Sequence, residues 1–235
     1  MKGLIWMIRG ILFDLDGTLL NRSDSLHQCI RAQYERNCAI LNDIESQQYL
    51  NDFITLDRNG YNHKKNVYKS LVEKYGLDKQ ASDLLLEDYY FHFHNHCLPI
   101  KGFDRLIHYL NQSPCQLGLI TNGETEFQQN TIDALSLADV FHCILISEQE
   151  GLKKPSPEIF QRGLSMLGVR ASETIFVGDH PTNDIKAAKK SGMGTIWVYN
   201  SHYEKPSEAD FTIHSLTEIP DIITSLNKED NDENR

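Results

Sequence analysis

The sequence has no CxxC pair, no long apolar run and no excess of basic residues, and each absence argues against a class of protein. Its five cysteines are scattered and odd in number, which is typical of a reduced protein without a disulfide framework. No run approaches the roughly 20 apolar residues needed to cross a bilayer. Asp and Glu number 33 against 23 Lys and Arg, and the net charge of −10 argues against nucleic acid or an anionic membrane as a partner.

The short apolar run at residues 4–8 has some features of a signal peptide. Arg9 interrupts it, however, and no small-residue cleavage site follows. The run leads directly into two carboxylates, Asp14 and Asp16, so cleavage would cut into the segment that carries them. We therefore expect a soluble, cytoplasmic protein.

From Pro99 onward, strand-like and helix-like segments alternate. This rhythm predicts an α/β fold, a Rossmann-like parallel sheet with helices on both faces. Strands are expected at residues 8–13, 116–121, 143–146, 174–177 and 194–198. Helices are expected at residues 103–110, 124–135, 156–167, 184–190 and 216–226.

In one stretch, from about residue 23 to 97, strands and helices do not alternate, because the apolar residues recur at helical spacing throughout. This spacing predicts an all-helical insertion after the first strand, placed over the crevice where open α/β sheets bind ligands and able to act as a lid. The expected domains are an α/β core of residues 1–20 and 99–226, a helical cap of residues 21–98 and a polar tail of residues 227–235. Polar candidates for selecting a substrate are Asn21, Arg22, Arg58 and Asn59.

Two carboxylates one residue apart, Asp14 and Asp16, stand at the end of the first predicted strand, and Gly17 then permits a tight turn. In a continuing strand the two side chains would share a face about 6–7 Å apart. One can attack phosphorus while the other handles the proton of the leaving group. Because a dianionic phosphate repels a carboxylate nucleophile, a screening cation is implied, and oxygen ligands indicate Mg²⁺.

A second and a third segment add groups that suit a phosphate. Thr121 and Asn122 end the second buried strand at the entrance of a helix, where a hydroxyl and backbone amides can cradle phosphate oxygens. Lys154 would neutralise charge on the nucleophile and the phosphate. It is favoured over the adjacent Lys153 because it stands directly before Pro155, where a helix begins.

The fourth segment places Asp179 at the end of the strand at 174–177 and Asp184 five residues later. Asp179 is positioned to ligate the metal, and Asp184 to orient metal-bound water or the lysine. Each motif alone has an ordinary explanation as a turn or a helix cap. A parallel sheet would bring all of them to one edge, and this favours a shared chemical role.

The order Asp-x-Asp-Gly-Thr, Thr-Asn, Lys-Pro and Gly-Asp-x-x-x-x-Asp resembles the haloacid dehalogenase superfamily of phosphohydrolases over most of residues 8–226. The inserted helices are similar to the type I cap of that family. The resemblance implies Mg²⁺ as the cofactor, held by Asp14, Asp179 and the backbone carbonyl of Asp16. It also implies that Asp14 is the nucleophile and Asp16 the general acid and base. Thr121 and Lys154 would be catalytic residues that contact the phosphate, with Asn122 as a further phosphate-binding residue. Asp184 would support the metal site.

Because Asp16 is present, the resemblance implies hydrolysis of a phosphate ester rather than metal-free dehalogenation. Further strings, Thr121-Asn122-Gly123 among them, look most like the branch of nucleotide and sialic-acid phosphate phosphatases. We expect a Mg²⁺-dependent phosphatase whose partner is a small phosphomonoester, a nucleoside 5'-monophosphate or a sugar phosphate. A phosphomutase of the same superfamily and a non-catalytic phosphate-binding regulatory protein stay open as alternatives, as does the oligomeric state.

Overall fold

The structure, a computed structural model, describes residues 7–233, with side chains described for residues 7–228. Most of the signal-like run at residues 4–8 therefore lies outside the described residues. No helix within them is long and apolar enough to cross a membrane. The chain divides into two compact units, one made of Met1–Asn21 with Pro99–Arg235 and the other of Arg22–Leu98.

The unit Arg22–Leu98 is built from helices, in which apolar residues three and four apart form the buried faces. Its centre holds the buried side chain of Gln33, whose Oε1 accepts hydrogen bonds from the hydroxyls of Tyr49 (3.0 Å) and Tyr68 (2.9 Å). The helices are α1 (Arg22–Arg36), α2 (Cys38–Leu41), α3 (Ser46–Asp57), α4 (Lys64–Tyr75) and α5 (Gln80–His92), with 3-10 turns at Arg58–Gly60 and Phe93–His96.

The other unit contains a six-stranded sheet in which every neighbouring pair is parallel, in the order β3-β2-β1-β4-β5-β6. The predicted α/β fold class is confirmed. The strands are β1 (Gly10–Phe13), β2 (Gln116–Thr121), β3 (Cys143–Ile146), β4 (Thr174–Gly178), β5 (Gly194–Val198) and β6 (Phe211–Ile213).

The first strand lies at the centre, and the chain adds strands to one side of it and then to the other. Phe13 of β1 is in register with Leu119 of β2 and with Val177 of β4. The strand order therefore reverses at β1, and the crevice beyond the carboxyl ends of such strands is where open α/β sheets bind ligands.

Both faces of the sheet are buried, as expected when helices cover a parallel sheet. On one face, Leu12 and Phe176 pack in a cluster with Ile159 and Phe160. The helices of this unit are α6 (Phe103–Leu110), α7 (Thr125–Ala134), α8 (Ser147–Glu150), α9 (Pro157–Leu167), α10 (Ala187–Lys190) and α11 (Ile219–Glu233), with a π-helical turn at Pro181–Lys186 and 3-10 turns at Ala171–Glu173 and Leu216–Glu218.

The structure differs from the sequence-based elements in four places. The edge strand β6 and the one-turn helix α8 were not predicted, because segments of three and four residues are too short to show a period. The helix predicted at 184–190 is split between the π-helical turn and α10. The last helix continues to Glu233, through most of the stretch that the sequence assigns to a polar tail.

Candidate active site

Three of the polar residues singled out in the sequence lie at the carboxyl ends of adjacent strands. Asp14 follows β1, and its backbone N–H donates a hydrogen bond of 2.9 Å to the carbonyl of Val177 in β4. Thr121 is the last residue of β2, and Asp179 follows β4. Since β1 lies between β2 and β4, the three residues meet at one edge of the sheet.

Lys154 lies buried at the same edge and joins two of the carboxylates. Its Nζ is 2.5 Å from Asp14 Oδ1 and 2.7 Å from Asp184 Oδ1, and the residue is 3% exposed. The adjacent Lys153 is exposed. Of the two lysines that the sequence offers, Lys154 is therefore the one held against the carboxylates.

The remaining oxygens of Asp14 and Asp184 also accept hydrogen bonds. The hydroxyl of Thr18 donates to Asp14 Oδ2 (3.0 Å), and the backbone N–H of His180 donates to Asp184 Oδ2 (2.9 Å). Both carboxylates are thus held from two sides, which fixes their orientation.

Asp179 is held by residues at and just beyond the end of β5. The side-chain amide of Asn200 donates to Asp179 Oδ2 (2.7 Å), and the indole N–H of Trp197 donates to the Asp179 carbonyl (2.6 Å). Among the described residues, no hydrogen bond reaches the other carboxylate oxygen of Asp179.

The burial of these groups changes their pKa values. Burial, opposed by Lys154 and aided by Asp184, raises the pKa of Asp14 to about 6. Burial and the nearby charges of Asp14 and Asp184 raise the pKa of Asp179 well above its ordinary value. For Lys154 burial acts in the opposite direction, but Asp14 and Asp184 outweigh it and raise the pKa of the lysine. The lysine therefore stays charged, and one positive charge faces three carboxyl groups.

The excess of carboxylates suits a divalent cation. Asp14, Asp179 and Asp184 each offer an oxygen, and these oxygens lie within 4.8 Å of one another. Within the described part of the chain, this is the group of acidic, histidine or cysteine side chains with the geometry to hold a metal ion. Hard oxygen donors of this kind fit Mg²⁺.

A residue that the sequence analysis did not single out, Gln128, links Thr121 to Asp16, the other predicted carboxylate. The side-chain nitrogen of Gln128 donates to Asp16 Oδ2 (2.8 Å) and to Thr121 Oγ1 (2.7 Å). Asp16 is half-buried, whereas Thr121 and Gln128 are buried. Gln128 thus links Asp16 to Thr121. The strand does not continue to Asp16, because β1 ends at Phe13.

Asn122, predicted to bind phosphate, bonds through its side chain to the backbone of Lys154. Its Nδ2 donates to the Lys154 carbonyl (2.8 Å), and its Oδ1 accepts from the Lys154 N–H (2.9 Å). This pairing joins the loop after β2 to the loop before α9.

Two glycines allow the chain to pack tightly around the carboxylates. Gly17 has a positive φ of +84°, and a Cβ placed on it would lie 2.4 Å from Asp179 Oδ2. A Cβ on Gly178 would lie 2.5 Å from the Cβ of Asp184. Any side chain at either position would displace a carboxylate of the site.

Sequence reasoning did not identify Gln128 or Asn200. Asn200 had a usable signal, since it is a polar residue just past a buried strand, like Asp14 and Asp179. Gln128 had none, because it is one of two consecutive glutamines inside a helix and only the packing of α7 shows which of them faces the site.

A family model described as haloacid dehalogenase-like hydrolase matches residues 11–198. The chain belongs to the haloacid dehalogenase-like hydrolase family. The predicted family is confirmed, and the matched span contains every residue of the site described above except Asn200.

Relatives within the family carry the names of phosphatases. The chain is 31% identical to glyceraldehyde 3-phosphate phosphatase of Methanocaldococcus jannaschii, over 95% of this chain and 100% of the relative. It is also 31% identical to the pyrimidine 5'-nucleotidase YjjG of Escherichia coli, over 54% of this chain and 57% of that protein.

A solved structure of the family has a similar fold. The HAD-hydrolase YfnB from Bacillus subtilis, crystallised with bound magnesium and described as revealing interdomain movement, is similar with a TM-score of 0.75 and 27% identity. The similarity covers 92% of this chain and 98% of YfnB.

Proposed function

We propose that this haloacid dehalogenase-like phosphatase hydrolyses a small phosphomonoester with Mg²⁺, through an aspartyl phosphate formed on Asp14. The family match and the relatives named as phosphatases support the general activity. The metal, the intermediate and the roles of individual residues are inferred from the geometry. The observation that carries the proposal is the buried Lys154 bonded to both Asp14 and Asp184 beside Asp179.

The first step transfers the phosphoryl group to the protein. A carboxylate oxygen of Asp14 forms a bond to phosphorus while the bond from phosphorus to the ester oxygen breaks. Asp16, in its protonated form, gives its proton to that departing oxygen, which leaves as an alcohol. Lys154 keeps the Asp14 carboxylate oriented and offsets part of the charge that gathers between it and the phosphate.

The second step returns the protein to its starting state. Asp16, now ionised, accepts a proton from water as the water oxygen attacks phosphorus. The bond between phosphorus and Asp14 breaks, so inorganic phosphate leaves and Asp14 is again a carboxylate. Thr121, whose hydroxyl lies at the end of β2, is proposed to bind a phosphate oxygen in both steps.

Asp14 and Asp179 are the side chains that would hold Mg²⁺, together with the Asp16 carbonyl that the family resemblance implies. Asp184 would support them indirectly, through its hydrogen bonds to Lys154 and to the His180 N–H. When bound, Mg²⁺ would neutralise charge on the phosphate and so reduce its repulsion of Asp14.

We also propose that the α/β unit is the catalytic core and the helical unit Arg22–Leu98 the cap domain. A sugar phosphate is the favoured class of substrate, because three relatives that match 94–95% of this chain are named glyceraldehyde 3-phosphate phosphatases. A nucleoside 5'-monophosphate is the second class, through the partial match to the pyrimidine nucleotidase.

The experiment measures phosphate release from sugar, nucleoside and acid phosphates, with Mg²⁺ and with EDTA. Acid quenching during turnover of labelled substrate would trap the phosphoenzyme. We expect release to need Mg²⁺, and both release and trapped label to disappear in Asp14→Asn but not in Asp104→Asn, a change of an exposed carboxylate on α6. Release that persists in Asp14→Asn would overturn the proposal, and label that passes to a second hydroxyl of the substrate would indicate a mutase.

A further inference from the structure

The buried side chain of Gln128 bridges two residues of the proposed reaction. Gln128 lies in α7 and is 2% exposed. Its Nε2 is within hydrogen-bonding distance of Asp16 Oδ2 (2.8 Å), Thr121 Oγ1 (2.7 Å) and the Asn122 carbonyl (3.0 Å). A primary amide nitrogen carries two hydrogens, so three acceptors share two donors. An amide buried in this way can join the three groups into one network.

The hydrogen bond from Gln128 to Asp16 bears on the proposed proton transfer, because Asp16 is the proposed general acid. Asp16 lies on the turn after β1, next to Gly17 with its positive φ, and is only half-buried. Holding a carboxyl group in place in advance lowers the cost of reaching the reactive geometry. The bond from Gln128 connects this turn to a helix 112 residues later in the chain.

The loop between β2 and α7 leaves room for this amide. A Cβ on Gly123 would lie 2.7 Å from Cγ and 2.9 Å from Nε2 of Gln128. Any residue larger than glycine at position 123 would therefore push the amide away from Asp16. Glycine at position 123 thus leaves the space that the long side chain of Gln128 occupies.

We propose that Gln128 is a positioning residue that orients Asp16 for proton transfer to the leaving oxygen. Its side-chain N–H donates to Asp16 Oδ2 and so fixes the orientation of the carboxyl group. The same nitrogen also ties Asp16 to Thr121, the proposed phosphate contact. This inference rests on the proposed function, in which Asp16 is the general acid.

The test compares two substrates that differ in their need for an acid. An alkyl phosphate expels an alkoxide that must be protonated, whereas p-nitrophenyl phosphate expels a stabilised phenolate that needs little help. The parameter is kcat/KM, which reports the steps up to formation of the phosphoenzyme and is independent of its hydrolysis. Gln128→Met removes the donor and keeps a similar length, and Gln129→Met is the matched control, since the amide of Gln129 bonds to Asp133 instead (2.9 Å).

We expect Gln128→Met to lower kcat/KM for the alkyl ester by about 10- to 100-fold and for p-nitrophenyl phosphate by less than about threefold, within the range of general acid catalysis. Gln128→Asn, which keeps the amide but shortens its reach, should give the same selective loss. Gln129→Met should leave both values unchanged. Because both substrates are measured on the same sample, partial unfolding of a variant lowers both values equally and cannot imitate the selective loss.

A second comparison uses the Asp16→Asn background. If Gln128 acts through Asp16, adding Gln128→Met to Asp16→Asn should change kcat/KM for the alkyl ester by less than about twofold. Equal losses for the two substrates, or losses that multiply in the double variant, would overturn the positioning role. Failure of the proposed function is distinguishable, because it would appear as alkyl phosphate turnover that survives in Asp14→Asn.

Discussion

The side chain of Asn122 pairs with the backbone of Lys154 at both of its polar ends, donating to the carbonyl and accepting from the N–H. Asn122 follows the end of β2 and Lys154 precedes α9, so one amide joins two loops 32 residues apart. The ammonium group of Lys154 is in turn bonded to Asp14 and Asp184. We infer that Asn122 contributes to the site by fixing the backbone from which the lysine reaches the carboxylates.

Replacement of Asn122 by Leu should therefore affect both stability and turnover. The change leaves a backbone donor and acceptor of Lys154 without partners, which costs about 1–3 kcal/mol of unfolding free energy. Urea unfolding checks this value, and kcat should fall because the lysine is no longer fixed. Asn122→Asp keeps the acceptor and should lose less stability than Asn122→Leu. Equal stability of wild type and Asn122→Leu would contradict the structural role.

Lys154→Met should be strongly destabilising at neutral pH. It leaves Asp14 and Asp184 buried without their counterion, a loss of about 3–5 kcal/mol when one partner of a buried pair is removed. Protonation of Asp14, whose pKa burial raises to about 6, relieves part of this cost, so the difference from wild type should shrink as the pH falls. Chemical unfolding at several pH values measures it. Lys153→Met, at the exposed neighbouring lysine, is the matched control and should have little effect.

Gly17→Ala should damage the metal site more than the fold. The new Cβ would lie 2.4 Å from Asp179 Oδ2, so the carboxylate must move. We expect weaker Mg²⁺ binding in isothermal titration calorimetry and a parallel loss of activity. Gly151→Ala isolates the backbone effect, because Gly151 also has a positive φ (+63°) but no neighbour within 4 Å of a new Cβ. That control should lose about 1–2 kcal/mol of stability and keep its affinity for Mg²⁺.

Mg²⁺ should bind the metal-free protein more weakly at acidic pH. Burial raises the pKa of Asp14 to about 6 and that of Asp179 above its ordinary value. A metal needs the ionised carboxylates, so protons compete with it below these pKa values and the affinity rises with pH until both groups are ionised. Calorimetry at pH 5 and pH 7.5 should show a difference of at least about tenfold. Equal affinities at the two pH values would show that neither carboxylate is a ligand.

Asp57→Asn should destabilise the helical unit. The buried Asp57 carboxylate bonds to Arg22 (2.9 Å), to Lys64 and to the Gly60 N–H (2.8 Å), so its removal should cost about 3 kcal/mol in urea unfolding. Arg22, a sequence-based candidate for selecting a substrate, forms an ion pair with Asp57.

The pH dependence of that loss follows from the pKa of Asp57. Burial acts to raise it, but Arg22 and Lys64 outweigh burial and hold it below the ordinary value of 3.8. A lowered pKa means that the stabilisation is complete above 3.8 and is lost as the pH falls through the pKa of the folded protein. The difference between wild type and Asp57→Asn should therefore be constant near neutral pH and shrink in strong acid. A constant difference down to the acid transition would contradict the ion pairs.

The hydrophobic pattern of the sequence is enough to locate the central strands and the residues that follow them. The central buried strands end at Phe13, Thr121 and Gly178. These ends can be located without knowing the rest of the fold, because a hydrophobic run is a local feature of the sequence. The parallel topology then places Asp14, Thr121 and Asp179 at one edge, and this is why motifs far apart in the chain could be assigned to one site.

The hydrogen-bond partners within the site, in contrast, follow from the packing of the folded chain. The choice of Gln128 over Gln129, the pairing of Asn122 with Lys154 and the support of Asp179 by Asn200 each depend on how separate elements pack. The short strand β6 likewise forms because β5 offers it a partner. Hydrogen bonds between distant residues are set by distance and orientation in three dimensions, and these are not encoded in the local period of the sequence.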